Sequence, residues 1–145
     1  AGVGIGTLYR HFPSRDALLA AVYRREVEQL AASAASLLAE RPAGAALEAW
    51  LHLLVDYMAT KRVIAPALQA SAGEGALAYA SGGAAVSEAM NRLLEAAVAA
   101  GAVRPDIGPQ DLFRAMVGFS YGYEQPDWEA SARRLISVLM AGLRG

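Results

Sequence analysis

Thr7, Tyr9, Arg10, His11 and Arg15 fall within nine residues near the start of the chain. Each side chain can hydrogen-bond a phosphate oxygen or the edge of a base. The first four belong to a very short helix pattern, with Gly2 in a turn before it and Pro13-Ser14 breaking it ahead of Arg15. A helix this short offers little to a packed core, so its polar groups are there to be displayed. Such a display is what the second half of a DNA-binding helix-turn-helix needs, where a recognition helix enters the major groove.

The other chemically suggestive groups carry less. Gly2, Gly4 and Gly6 make a G-V-G-I-G run without the Lys and Ser/Thr of a phosphate loop or the spacing of a dinucleotide fingerprint. Gly2 suits the positive φ of a tight turn. Gly4 and Gly6 leave room for backbone to approach DNA. His52 has Glu48 and Asp56 four residues to either side, a spacing open to a metal or a general base. Trp50, Leu51, Leu54, Val55 and Met58 occupy the opposite side of the same helix, so the trio reads as a solvated polar face. There is no cysteine, no nucleophile–base pair and no paired-carboxylate site. The expectation is a protein that is not an enzyme, with no catalytic residue, no metal and no cofactor.

The elements behind these residues read as helices throughout. Ser14 is placed to cap a helix with Asp16 in its first turn. Leu18, Leu19, Val22, Tyr23, Val27 and Leu30 form its stripe, which runs on to Leu37-Leu38 and stops near Arg41-Pro42. Leu47, Trp50, Leu51, Leu54, Val55 and Met58 predict a second helix ending near Thr60-Lys61-Arg62. Val63–Ser71 predicts a separate short one with Pro66 in its first turn. Ser71–Ala85 is glycine-rich and open to either helix or loop. Val86, Met90, Leu93, Leu94, Ala97 and Val98 make a further helix with Gly101 as its C-terminal cap. Leu112 to Tyr123, and Trp128 to Leu143 behind a capping Asp127, supply the last two. No segment alternates with period two, so the predicted class is all-α.

Composition agrees with one compact domain: 145 residues, 55% hydrophobic and 19% charged. No apolar run reaches the roughly 18 residues of a membrane span, no signal peptide is visible, and a cytoplasmic location fits. The net charge of −1 is unevenly spread. Residues 1–25 hold Arg10, Arg15, Arg24 and Arg25 against Asp16, a net +3, while the remainder carries −4. A basic end on an acidic body suits a DNA-reading end attached to a body that does not touch DNA.

The run AGV-x-x-GTLY-x-HFPS-x-x-AL, residues 1–18, resembles the recognition-helix signature of TetR-type bacterial transcriptional regulators. The resemblance implies a partial helix-turn-helix domain over residues 1–30, with a recognition helix near 4–11, followed by a helical ligand-binding and dimerisation domain over 31–145. It implies that the basic arm and first helices of the family would precede Ala1. Thr7, Tyr9 and His11 carry over as DNA contacts, mainly to phosphates, with Arg10 beside them and Arg15 a further phosphate contact. Gly4 departs from the capping residue usual there. Ile5 departs from a polar base reader, and the two departures point to sparse hydrogen-bonded readout, with Ile5 touching thymine methyls.

The resemblance also implies a double-stranded DNA operator, a homodimer and a small apolar effector. Expected pocket walls are Trp50, Leu54, Met58 and Leu68, facing Met90, Leu94, Met116 and Phe119, with the Ser71–Ala85 stretch as a gate. Leu112, Leu135, Leu139 and Leu143, with Gly118 and Gly122 allowing close approach, are expected at the dimer interface. The implied function is effector-released repression. The alternative is a helical interaction and dimerisation module without an effector.

Overall fold

The structure, a computed structural model, describes residues 14–70, 74–120 and 125–144, with side chains for 14–67, 83–120 and 125–144. Helices make up all of the regular structure among these residues. They are α1 (Arg15–Glu40), α2 (Ala43–Ala70), α3 (Glu74–Ala99), α4 (Pro109–Phe119) and α5 (Trp128–Leu143).

α1 begins as the sequence predicts. The Ser14 hydroxyl accepts from the Ala17 N–H at 3.1 Å, satisfying one of the amides that a helix start leaves without a partner. Its buried stripe is Ala20, Tyr23, Val27, Leu30, Ala34 and Leu37. Val22 lies outside it, 37% exposed, because the side facing α2 and α3 runs through Tyr23 instead.

The predicted break after Met58 does not occur. α2 continues through Thr60-Lys61-Arg62 to Ala70 and holds Pro66 in its interior. Nothing in Ala59–Arg62 stops a helix: there is no Gly or Asn, and Lys and Arg are good helix formers. Pro66 forfeits one backbone bond but sits on the exposed side. The glycine-rich segment is helical from Glu74, so α3 starts about three turns before Val86. Alanines around Gly75, Gly82 and Gly83 offset the roughly 1 kcal/mol of helix propensity that each glycine costs.

Gly101 does end the helix. It takes φ +74°, its N–H donates to the Val98 carbonyl at 3.0 Å, and the Ala102 N–H reaches back to Ala97 at 2.9 Å. That is a Schellman ending, which a side chain at 101 would strain. Gly44 serves a different need: a Cβ there would lie 3.0 Å from the Ala102 Cβ, so α2 and this turn meet at a glycine. The Arg104 N–H donates to the Leu143 carbonyl at 2.8 Å, tying the turn to the end of α5. Asp111 accepts from the Gly108 N–H at 2.9 Å and closes the start of α4, with Pro109 as the first helical residue. Asp127 stands at the start of α5, but its carboxylate makes no capping bond, contrary to expectation.

α1, α2 and α3 pack on one another, α5 lies along α2, and α4 bridges α5 and α3. One core runs through all five. Trp50, Tyr23, Leu51, Met90, Met116 and Ile136 are among its fully buried members. At about 1.5–3 kcal/mol for each large apolar side chain buried, this shared core fixes the mutual positions of the helices.

Candidate nucleic-acid end and helical body

Arg15 opens α1 and is exposed, one residue past the capping Ser14. Its place beside a helix N-terminus, where N–H groups and the helix dipole favour an anion, suits a phosphate contact. Gly4, Ile5, Gly6, Thr7, Tyr9, Arg10 and His11 lie outside the described residues. From Arg15, α1 runs 26 residues without interruption, about 39 Å at 1.5 Å per residue. One helix therefore leads from the amino-terminal end into the middle of the body.

Two buried hydrogen bonds hold that helix to α2. The Trp50 indole N–H donates to the Leu30 carbonyl at 2.9 Å. The Tyr23 and Tyr57 hydroxyls are 2.9 Å apart, and their rings meet at 6.3 Å and 39°. The Lys61 ammonium sits over the Tyr57 ring at 5.8 Å, within cation–π range. Beside the joint is an open cleft of about 330 Å³, bounded by Glu26, Gln29, Leu30, Ser33, Leu53, Asp56 and Tyr57.

The expected pocket residues fall in the core. Trp50, Leu54, Met90, Leu94 and Met116 are buried, Met58 and Phe119 are half-buried, and the Leu68 side chain lies outside the described residues. Trp50, the one with a polar handle, gives its N–H to Leu30 and not to the interior.

The polar face of α2 is not simply solvated. Arg133 of α5 donates to the His52 ring Nδ1 at 3.1 Å and the His52 carbonyl at 3.3 Å, and pairs closely with the Asp56 carboxylate. Arg144 lies 3.9 Å from Glu48. Sequence reasoning missed this seam because 81 residues separate Arg133 from His52. The signal was an acid–His–acid row at i, i+4, i+8 facing Arg133 of α5 and Arg144 just past its end. Among the described residues no three His, Asp or Glu side chains are grouped to hold a metal ion, and no helix is long and apolar enough to cross a membrane.

The outer side of α4 and α5 exposes apolar residues beside Arg114 and Arg134. Val138 is 68% exposed, Val117 59% and Leu135 38%, and Leu139 is half-buried. Gly118 is open, with nothing near a Cβ built there. Leu112 and Leu143 do not reach this surface. They fall on the inward stripes of their helices, with Met116 and with Ile136 and Met140, at 1% and 3% exposure. Gly122 lies outside the described residues.

Residues 42–145 match the model of the transcriptional regulator SbtR-like C-terminal domain, and residues 1–22 match that of the bacterial regulatory proteins of the tetR family. The crystal structure of the TetR transcriptional regulator SCO0520 from Streptomyces coelicolor is similar over 99% of this chain and 82% of that one, with 42% identity and a TM-score of 0.88. No curated protein matches. The chain belongs to the TetR family. As a TetR-family member it is a DNA-binding transcriptional regulator with an all-helical body. The two matched stretches take in both regions discussed above, the Thr7–Arg15 cluster and the core from α2 to α5.

Proposed function

We propose that this TetR-family regulator is a repressor that a small apolar effector releases from its operator. Residues 1–30 read DNA; residues 31–145 bind the effector and form a homodimer in the cytoplasm. The observation that carries the reading is the continuity of α1, which starts at Arg15, beside the cluster of DNA-contacting residue types, and packs its stripe from Ala20 to Leu37 into the core. A change in how α1 sits in the body must move its amino-terminal end, and so change the spacing of two recognition helices in a dimer.

In this reading Thr7, Tyr9, Arg10, His11 and Arg15 contact phosphates or base edges, and Gly4, Ile5 and Gly6 face the groove closely. The effector takes the space among α2, α3 and α4, against Trp50, Leu54, Met58, Leu68, Met90, Leu94, Met116 and Phe119. A wall of this kind favours apolar, uncharged ligands, since a charge there faces a desolvation cost of several kcal/mol. The second copy docks on Leu135, Leu139 and Gly118, joined by Val117 and Val138.

The test is selection of a duplex from a random library, followed by fluorescence anisotropy at several salt concentrations. Tyr9→Ala should weaken binding about tenfold, equivalent to 1.4 kcal/mol, and Thr7→Ala somewhat less. Both should leave the salt dependence nearly unchanged, because neither hydroxyl carries charge, whereas Arg15→Ala should flatten it by about one phosphate contact. A protein that selects no duplex overturns the reading. The effector part fails on its own if no member of a broad apolar compound panel raises the melting temperature or weakens DNA binding.

A further inference from the structure

We propose that His52 and Arg133 form a proton-sensitive clasp between α2 and α5, and that protonation of the His52 ring loosens α5 and weakens the homodimer. The consequence for the dimer rests on the reading above that the second copy docks on α5; the proton dependence of the clasp does not.

A guanidinium carries N–H donors and no acceptor. A nitrogen of Arg133 stands 3.1 Å from Nδ1 of His52, so Nδ1 must supply the lone pair and the ring must be the neutral Nε2–H tautomer. The same nitrogen donates to the His52 carbonyl at 3.3 Å, and the other terminal nitrogen pairs with Asp56. A proton on Nδ1 removes the acceptor and sets two cations face to face. Histidine is the side chain whose charge changes between about pH 5 and 8.

The surrounding charges do not absorb that proton. Glu48 and Asp56 lie one turn to either side of His52, and each already faces an arginine: Arg144, at 3.9 Å, and Arg133. These carboxylates and guanidiniums balance only while the ring is neutral. On α5, the exposed Glu129 and Arg134 offset each other. On α1, Glu26 lines the open cleft with Asp56, where solvent screens it. The core side of α2 adds no charge, since among the described residues no charged side chain is buried.

What α5 carries gives the clasp its consequence. Leu135 and Val138 follow Arg133 by two and five residues and face outward. Ala132 and Ile136 anchor the same stretch in the core. Losing the clasp therefore leaves α5 in place but frees its roll, and the roll aims Leu135 and Val138.

The test compares wild type, His52→Asn and Arg133→Gln between about pH 8 and about pH 5. The Asn carbonyl takes the place of Nδ1 as an acceptor that does not titrate. Ring nitrogen NMR should show the Nε2–H tautomer of His52 at the alkaline end. The His52→Asn spectrum separates that ring from His11, the chain's other histidine. By sedimentation, the wild-type dimer should dissociate about fivefold more readily at the acid end. Most of that change should vanish in His52→Asn, and also in Arg133→Gln, whose dimer should be weaker throughout. The melting temperature of wild type should fall towards that of Arg133→Gln on acidification. An Nδ1–H tautomer, or a melting-temperature gap between wild type and Arg133→Gln that stays constant with pH, overturns the clasp. Equal pH dependence of dissociation in wild type and His52→Asn overturns its role in the dimer. A wild type that is monomeric throughout defeats the docking of a second copy on α5, while the tautomer and the melting temperatures still decide the clasp.

Discussion

The joint between α1 and α2 and the pair α4–α5 use similar residues to opposite ends. At the joint, Tyr23, Leu30, Trp50 and Leu54 are covered. Among the described residues no buried side-chain nitrogen or oxygen lacks a partner. In the α4–α5 pair the inward stripes of Leu112, Met116, Ile136 and Met140 are just as deeply covered, yet Val117, Leu135 and Val138 face outward. The first surface is closed by buried hydrogen bonds within the subunit, although Leu53 stays exposed in the cleft beside it. The second carries an apolar excess on the outside, and TetR-family regulators typically dimerise. Arg133, through His52 and Asp56, fastens the second surface to α2 and so to the first.

The comparison is broken most severely at Trp50. Trp50→Ala removes a fully buried ring and leaves the Leu30 carbonyl without its side-chain donor. The expected cost is about 3–5 kcal/mol, a fall in melting temperature on the order of 10 °C or more by calorimetry. Trp50→Phe should cost less than half as much, since most of the packing survives. Equal losses would mean that the indole N–H, and not the ring, holds the joint.

Val138→Arg strikes the other surface and should do the reverse. At 68% exposure the new guanidinium reaches solvent in an isolated subunit, so the melting temperature of the subunit should hold. In a dimer packed through α5 it would be buried without a partner, so light scattering should report monomers. Affinity for the selected duplex should fall on the order of a hundredfold as the second half-site is lost. A dimer that survives this change does not pack through the outer face of α5.

The Ser14 cap and the Gly101 ending were legible in the sequence, whereas Pro66 did not open a helix and Asp127 did not cap one. Boundaries inferred from a lapse in hydrophobicity were not legible. Thr60-Lys61-Arg62 looked like an ending because the apolar stripe fades, but a polar turn of good helix formers is also a continuing helix. The reach of the inward face was misjudged for the same reason: Leu135 and Leu143 are identical letters, and only the rotation of α5 separates the exposed one from the buried one. Of the contacts that join distant parts of the chain, the acid–His–acid row of α2 signals a partner for His52 without naming Arg133, and nothing local pairs Tyr23 with Tyr57.

The smallest expected effect lies on the turn that ties α3 to α5. Arg104 holds Asp106 with two hydrogen bonds, 2.6 Å from Nε and 2.8 Å from a terminal nitrogen, with both side chains more than half exposed. These bonds favour the ionised carboxylate and lower its pKa below the ordinary 3.8. A group whose pKa falls on folding stabilises the fold above its unfolded value, and that contribution disappears as pH drops through the folded one. Exposure to solvent keeps the contribution small, although the pair sits where the Arg104 N–H meets the Leu143 carbonyl. Asp106→Asn should therefore lower the melting temperature by only about a degree at neutral pH. The gap between variant and wild type should close as the pH is taken below 3.8. A gap that stays constant across that range would show that the turn is held by its backbone bond to α5 and owes nothing to the ion pair.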